Sequence, residues 1–433
     1  MKVLFDTTSS KTNTVVSIVG NDLLPYIATV RSVVDGGTYI APESSINLPS
    51  DETILAAVEE LVSEKVSPAL RYIFVVGIGG SNLGTKAIYD ALRPQLQLTA
   101  ELIFVDTNNA STIQAALLCI GAAKTIDEVL LVSISKSGGT SETLANTEIL
   151  VEQLFLRWGR AVRSRLVVIT DAGSAFAAAA ADRDVSVLTM PTCVGGRFSV
   201  FSSVGLFPLV ALGVPVRELL QGATEMRQLC VNPEVSFNYA AMSACLLYQS
   251  YQDGLMVHDT FVFQSELESV GRWYRQLLGE SIGKEISGSI EGTRVGFVPT
   301  VSVGSTDLHS VGQLYLGGPK RTITSFVYSK NDLVDFTVPT ERLFPTLAPM
   351  ITGKTTSAIM DAILQGTIAA YKNQHLPHME IVLDAIVPYE LGALLQFKMI
   401  EVMYLGYLMG VNTFDQPGVE LYKVETKRLL GGT

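Results

Sequence analysis

Short apolar runs rich in β-branched residues alternate with amphipathic stretches between Tyr72 and Pro191. The runs are Tyr72–Val76, Leu102–Val105, Val129–Ile134, Leu166–Ile169 and Val185–Met190, and residues 82–93, 110–121, 141–157 and 173–181 between them carry apolar side chains at helical spacing. Strands alternating with helices of that length predict a parallel sheet covered by helices on both faces. A second such pattern runs from about 255 to 391, with candidate strands Met256–Phe263, Val295–Pro299, Ile323–Val327 and Glu380–Ile386 and helical patterns near 265–279, 306–316 and 355–371. The expected organisation is an N-terminal segment (1–55), irregular and packed on the second α/β unit, then a first α/β domain (56–200), a second (201–390) and a helical tail (391–433). Phe198–Val216 is a long uncharged run, but its serines and Pro208 and Pro215 mark it as a buried helix rather than a membrane span.

In sheets of this kind ligands sit at the carboxyl ends of the strands. Two strand ends here carry unusual loops. Val129–Ile134 stops at Ser135-Lys136-Ser137-Gly138-Gly139-Thr140-Ser141, and an amphipathic helix follows. Such a loop presents free backbone N–H groups and the positive end of a helix dipole to an anion. Ser135, Ser137, Thr140 and Thr143 can add hydroxyls, more than helix capping needs, although a Ser/Gly turn with an ordinary N-cap is the competing reading. No Gly-Lys-Ser/Thr triplet closes the loop, so it is not a Walker loop. The other loop, Gly77-Ile78-Gly79-Gly80-Ser81, lacks the third glycine of a dinucleotide fingerprint because Asn82 stands there. Two polar loops on one sheet suit a smaller phosphorylated ligand better than a dinucleotide.

Composition narrows the partners. The 433 residues are 48% hydrophobic, enough for large cores, and the formal net charge of −11 argues against nucleic acid or an anionic membrane surface. An anionic ligand must then be held by a local basic pocket. Cys119, Cys193, Cys230 and Cys245 lack metal-like spacing and read as buried free thiols in a reducing, cytoplasmic setting. The N-terminus MKVLFDTTSSK has no apolar signal core.

Single residues say less. Trp273, Gln276 and Glu280 share a helical face, and a carboxylate at the glycine-flanked end Gly279-Glu280-Ser281-Ile282-Gly283-Lys284 can serve as a general base. A surface ion pair between Glu280 and Lys284, four residues apart, is the plainer expectation. His309 by itself reads as structural, and His375 and His378, split by Pro377, have no partners for a metal. Arg197, in Val194-Gly195-Gly196-Arg197-Phe198-Ser199, enters an apolar helix, and a buried charge calls for an anion or a carboxylate, the two being equally compatible with the sequence. Lys423, nearly two turns past the helix-starting Pro417, reads alone as exposed.

Five segments taken together carry more: GIGGSNLG (77–84), SISKSGGTSET (133–143), VGGRFSV (194–200), the pair QLLGESIGK (276–284) and TDLHSVGQ (306–313), and FDQPGVELYK (414–423). In this order they resemble the glucose-6-phosphate isomerase (phosphoglucose isomerase) family. The resemblance implies two sugar isomerase (SIS) domains of flavodoxin-like type, each a parallel sheet flanked by helices, with a helical C-terminal tail. It implies an aldose–ketose isomerase that interconverts glucose 6-phosphate and fructose 6-phosphate through a cis-enediol, in glycolysis and gluconeogenesis, with no cofactor and no metal. By the same resemblance Ser135, Lys136, Ser137 and Thr140 hold the substrate phosphate with Thr143 a further candidate, and Gly80, Ser81 and Gly196 line that pocket. Glu280 resembles the base, Arg197 the residue that stabilises the enediolate, His309 and Lys423 the ring-opening pair, Glu142 the group that orients His309, and Gln276 and Gln416 sugar contacts. Gly139 departs from the family loop, where a threonine is common, and removes one hydroxyl. The implied assembly is a homodimer with shared sites, for which the tail offers an apolar face of Met399, Val402, Met403, Leu405 and Leu408. The rival readings are a bifunctional glucose/mannose phosphate isomerase, a non-catalytic SIS sensor of sugar phosphates, and, more remotely, a dinucleotide-dependent dehydrogenase.

Overall fold

The computed structural model describes residues 1–5, 10–96, 98, 100–289 and 292–431. Expectations for residues 6–9 of the N-terminal segment and 432–433 of the tail therefore lie outside the described residues. Twelve strands form among the described residues: β1 (Lys2–Phe5), β2 (Tyr72–Val76), β3 (Glu101–Val105), β4 (Val129–Ile134), β5 (Leu166–Asp171), β6 (Ser186–Met190), β7 (Val257–Val262), β8 (Lys284–Glu285), β9 (Arg294–Val295), β10 (Val298–Val303), β11 (Thr322–Asn331) and β12 (His378–Ala385). The first sheet has the order β3-β2-β4-β5-β6 and is parallel throughout. The second has the order β1-β12-β11-β7-β10, parallel except for β1, which runs antiparallel against β12. Counted in chain order from β2 and from β7, both sheets follow 2-1-3-4, and β6 extends the first as β1 closes the second. The mixed α/β architecture of two flavodoxin-like sheets is the one expected, with β1 as an antiparallel addition. The duplicated strand order has no counterpart in an internal sequence repeat, because it depends on the positions of apolar runs and not on residue identities.

Burial explains why the strands read so clearly. Helices cover both faces of a parallel sheet, so whole strands are apolar, and all six residues of β4 are buried. One core cluster joins the inner faces of both sheets, from Ile73 and Val75 to Ile381 and Leu383. Separate clusters fill the outer faces, one around Phe74 and Leu131 and one around Phe261 and Phe326.

Three expectations are corrected. The N-terminal segment is not irregular, since Ser10–Gly36 is a helix whose Val19, Leu23, Ile27 and Val30 are buried at helical spacing. Pro25 and Gly20 in its interior obscure that pattern. The strand sought at Val295–Pro299 is β10, shifted forward through Pro299, because β10 is an edge strand and a missing N–H is tolerated there. The stretch 306–316 is broken into a 3₁₀ turn, Thr306–His309, and a short helix, Gly312–Gly317, with glycines at both ends of the latter.

The helix Pro388–Leu408 is long and apolar enough to span a membrane, yet it is the central core helix here, buried from Leu391 through Gly406. Met399, Val402, Met403 and Leu405 are thus covered inside the chain, Leu408 is half-buried, and this helix offers no apolar face for a partner. It packs most closely on helix Val216–Cys230. Two glycines set that distance: a Cβ on Gly222 would lie 1.9 Å from the Tyr389 carbonyl oxygen, and one on Gly392 would lie 1.9 Å from that of Leu219. The run Phe198–Val216 is buried as expected, in a 3₁₀ turn (Gly196–Phe198) and helix Ser203–Ala211. All four cysteines are free, Cys230 and Cys245 buried and Cys119 and Cys193 half-buried.

The glycine contact yields a prediction. Gly392→Ala should destabilise the chain by at least about 1–3 kcal/mol through overpacking, more than the roughly 0.5–1 kcal/mol alanine gains in a helix. Gly366, also helical but with nothing within 4 Å of where an alanine methyl would lie, provides the contrast. Urea unfolding should show Gly366→Ala as neutral or stabilising, and equal midpoints for the two variants would refute the argument.

Candidate active site

The carboxyl ends of β2 and β4 flank the point where the first sheet's strand order reverses, the usual ligand position in such folds. A cavity of about 730 Å³ opens there. Its lining brings together Gly80 and Ser81 after β2, Lys136, Ser137, Thr140 and Glu142 after β4, Gly196 and Arg197, and Gln276, Glu280, Gln416 and Lys423 from later in the chain. Ser135, Thr143 and His309 do not line it.

The loop after β4 is arranged for an anion. Helix Ser141–Trp158 begins at Thr140, whose side chain makes no capping bond. The contrast is Ser174, whose hydroxyl caps the next helix by accepting from the Ala177 N–H. Thr140 Oγ1 instead accepts from the Ser135 hydroxyl at 3.0 Å, so the first-turn N–H groups stay open toward the cavity. Ser135, buried, thereby braces the loop from beneath. Ser137 Oγ accepts from the Gly139 N–H at 3.3 Å. Lys136 Nζ donates to the Thr192 carbonyl at 2.7 Å and sits beside the cavity. Thr143 is buried with its hydroxyl unpartnered, behind the lining.

The glycine loop after β2 meets the loop before Arg197 backbone to backbone. A Cβ on Gly80 would fall 2.1 Å from the Gly196 carbonyl carbon, so only glycine allows this approach. Behind the contact lies Arg197, 3% exposed. Its Nε donates to Ser281 Oγ at 2.8 Å, one terminal nitrogen to Gln416 Oε1 at 3.0 Å and Glu280 Oε2 at 3.4 Å, and the other to the carbonyls of Thr413 and Asp415. Of the two options the sequence left for its burial, the carboxylate partner is present, and it faces the cavity. Burial draws the guanidinium's pKa downward, and the charges of Glu280 and Asp415 oppose that pull.

Helix Glu268–Ile282 presents Gln276 and Glu280 to the cavity one turn apart, while Trp273 and Tyr274 are buried in the core. Gln276 Nε2 donates to Glu280 Oε1 at 3.0 Å, and Gln276 Oε1 is buried with no partner, an acceptor free for a ligand hydroxyl. The surface pair between Glu280 and Lys284 does not form. Glu280 pairs with Arg197, and Lys284 pairs with Asp415 at 2.7 Å. Gln416 leads into helix Pro417–Leu429, on which Lys423 reaches Glu420 at 2.7 Å. His309 lies on the turn after β10, outside the cavity, so one chain does not bring it to Glu142.

Asp171 belongs to none of the sequence motifs. It ends β5, lines the cavity and has a buried, unpartnered Oδ1, and burial raises its pKa against the pull of Lys136. Its place at a strand's carboxyl end is the signal that could mark it.

An α/β fold of paired flavodoxin-like sheets, with an uncapped helix start and the Arg197–Glu280 pair on one cavity, defines the class: a two-sheet α/β protein whose site is open to a small anionic ligand. The phosphoglucose isomerase family profile matches residues 58–431. Among curated proteins, the chain is 33% identical over 395 residues to a glucose-6-phosphate isomerase of Carboxydothermus hydrogenoformans, covering 89% of this chain and 83% of the relative. It is 32% identical over 361 residues to one from Methanocaldococcus jannaschii, covering 83% of this chain and 84% of the relative. A crystal structure of a hypothetical protein from Thermus thermophilus superposes over 100% of both chains with TM-score 0.89 at 29% identity. A glucose-6-phosphate isomerase structure from Chlamydia trachomatis, 24% identical, shares the fold with TM-score 0.76, over 90% of this chain and 75% of that one. The chain belongs to the phosphoglucose isomerase family.

Arg197→Lys keeps the charge but cannot span the five acceptors. It should cost about 2 kcal/mol or more in urea unfolding, the scale of losing charge-assisted bonds in a buried site. An unchanged midpoint would show that the guanidinium fork is not what joins these segments.

Proposed function

We propose that this chain is a glucose-6-phosphate isomerase, converting glucose 6-phosphate and fructose 6-phosphate into each other through a cis-enediol intermediate in glycolysis and gluconeogenesis. The observation that carries the reading is that Glu280, held by Gln276 and Arg197, faces the same cavity as the uncapped helix start at Thr140. Family membership and the curated relatives' names support the same reaction.

The chemistry follows from the charges. The sugar phosphate sits against Ser137, Thr140 and the open N–H groups of helix Ser141–Trp158, with Lys136, Ser81 and the glycines Gly80 and Gly196 beside it. Gln276 and Gln416 take sugar hydroxyls. In the open-chain aldose, Glu280 removes the proton on carbon 2 and returns it to carbon 1, while a proton moves between the two oxygens. Negative charge grows on the enediolate as the first proton leaves, and Arg197 is the cation placed to stabilise it. The proton count balances within the substrate, so the residues named supply a base, a cation and acids. Lys423 and His309 serve ring opening, with Glu142 orienting His309.

His309 lies outside its own chain's cavity, which supports a homodimer in which each subunit lends His309 to the other's site. The core helix Pro388–Leu408 cannot supply the interface. Exposed apolar side chains occur instead at Leu333, Val334, Phe336, Leu343, Phe344 and Leu347, after the carboxyl end of β11, and such exposure is characteristic of interaction surfaces. A cytoplasmic location belongs to the same reading.

A coupled assay of fructose 6-phosphate conversion tests the activity. Glu280→Gln should lower turnover by at least about 10²-fold, the usual scale for a general base. Near-full turnover would remove Glu280 from the role. Thr140→Ala should raise KM for fructose 6-phosphate by the equivalent of about 1–3 kcal/mol, and an unchanged KM would reject the phosphate loop. Subunit mixing tests sharing. When inactive His309→Ala and Glu280→Gln chains are re-annealed in equal amounts, heterodimers place both lesions in one site, and roughly a quarter of wild-type activity should return. No recovery in a sample containing heterodimers would mean that each site is built within one chain.

A further inference from the structure

Lys284 has no role in the reaction as described, yet its ammonium is among the most heavily bonded groups near the site. Its side chain is only 7% exposed. Nζ donates to the Asn412 carbonyl, to the Asp415 carbonyl at 2.6 Å and to Asp415 Oδ1 at 2.7 Å. The other Asp415 oxygen accepts from Asn412 Nδ2 at 2.9 Å, and the Phe414 N–H donates to Asn412 Oδ1 at 3.0 Å. The lysine backbone is itself pinned: Lys284 pairs with Val295 in the β8–β9 hairpin, and the Ser287 N–H bonds the Gly410 carbonyl at 2.8 Å.

Two cations therefore converge on one turn. Arg197 and Lys284 both donate to the Asp415 carbonyl, and Arg197 also bonds Gln416, the next residue. Arg197 and Lys284 face Glu280 and Asp415 as a charge-balanced set of four. The partition within it is specific, because Arg197 takes Glu280 and Lys284 takes Asp415.

The turn matters because it launches the last helix. Helix Pro417–Leu429 carries Lys423 over the cavity, and no residue of that helix is buried. A helix without a buried face gets little placement from packing. Its position over the cavity then depends on the turn before it, which Lys284 and Arg197 hold by hydrogen bonds and Phe414 holds by resting on Phe198, ring centroids 5.6 Å apart.

We propose that Lys284 is a positioning residue for the isomerisation: paired with Asp415, it clamps the 412–416 turn so that Gln416 and the Lys423-bearing helix stand over the cavity. The proposal rests on the isomerase reading for its catalytic consequence, but the clamp itself is a statement about structure. Charge removal on Lys284 would leave the Asn412 carbonyl and the Asp415 carboxylate without their cation and the Asp415 carbonyl with Arg197 alone, and the turn would lose its register. The phosphate loop, on a different element, would keep its own bonds.

Lys284→Met, Lys284→Arg and Asp415→Asn are the variants, measured in the full chain for turnover, KM and amide hydrogen exchange. Lys284→Met should lower kcat by about 10–100-fold, the scale of an ångström-level misplacement of catalytic groups. KM for fructose 6-phosphate should stay within about threefold, because phosphate contacts are the main binding terms. Exchange should quicken at least about tenfold across residues 412–423 and stay unchanged across 135–147, the signature of local rather than global opening. Lys284→Arg should recover most of the turnover. Asp415→Asn should reproduce the defect in part, and combining it with Lys284→Met should add little, as for partners in one interaction. Should Lys284→Met fail to fold, Asp415→Asn decides alone, since Asp415 is half exposed and Lys284 keeps the Asn412 and Asp415 carbonyls as acceptors.

Unchanged exchange in 412–423 would overturn the clamp. Faster exchange there with turnover intact would overturn its catalytic consequence, and faster exchange everywhere would reduce Lys284 to a general structural residue. A wild-type chain that fails to isomerise fructose 6-phosphate would overturn the isomerase reading, while the exchange measurement would still decide the clamp.

Discussion

The buried guanidinium of Arg197 is the interaction on which the site depends. Removing such a charge from water costs several kcal/mol, and only a full set of well-placed acceptors offsets that. Arg197 finds them in two places that are far apart in the chain: Ser281 and Glu280 on one helix, and the Thr413 and Asp415 carbonyls with Gln416 in the turn between core helix and tail. The residue itself emerges from the glycine loop that touches the loop after β2. One side chain thus joins the first sheet's loops, the helix Glu268–Ile282 and the C-terminal helix, and it does so directly behind the carboxylate that faces the cavity.

That arrangement couples stability to chemistry. Glu280 is kept beside a cation that cannot leave, because each nitrogen of that cation is occupied and the guanidinium is sealed from solvent. A carboxylate so placed stays oriented without needing the ligand to order it. The loop after β4 reaches a similar result by a different route. Thr140 does not cap its helix, and Ser135 holds the Thr140 hydroxyl from below, so the loop keeps its shape while the helix's first-turn N–H groups remain open. Both halves of the site are preorganised by contacts made behind the lining.

The two sheets repeat one strand order, but among the described residues the first alone carries the glycine loop Gly77–Ser81 and the Ser/Thr/Gly loop 135–141 at its reversal point. The second contributes through the helix Glu268–Ile282, which follows β7 and leans its Gln276–Glu280 edge toward the first sheet. A shared core between the inner faces of the sheets holds this geometry. The glycine pair Gly222 and Gly392 shows how tightly that core is set, since backbone meets backbone there.

Much of this was legible in the residues alone, for a physical reason. Parallel strands buried on both faces must be apolar throughout, so β2 through β6 announce themselves, and glycine-, serine- and threonine-rich loops at their ends mark where an anion can approach. Motif order then pointed to the family. The hidden features depended on distance in space. The helix at Ser10–Gly36 was masked by Pro25 and Gly20, although its buried positions keep helical spacing. The apolar helix near the C-terminus looked available for a partner, and only packing reveals that Met399, Val402 and Met403 are already inside the core. The i,i+4 spacing of Glu280 and Lys284 suggested a local pair, yet Arg197 and Asp415 lie closer once the chain is folded. Local sequence determines which segments become strands, loops and helices, because those choices depend on side-chain pattern over a few residues. Which charge meets which, and which apolar face is left uncovered, is decided by the tertiary structure, because Coulomb attraction and burial act between groups that the sequence leaves far apart.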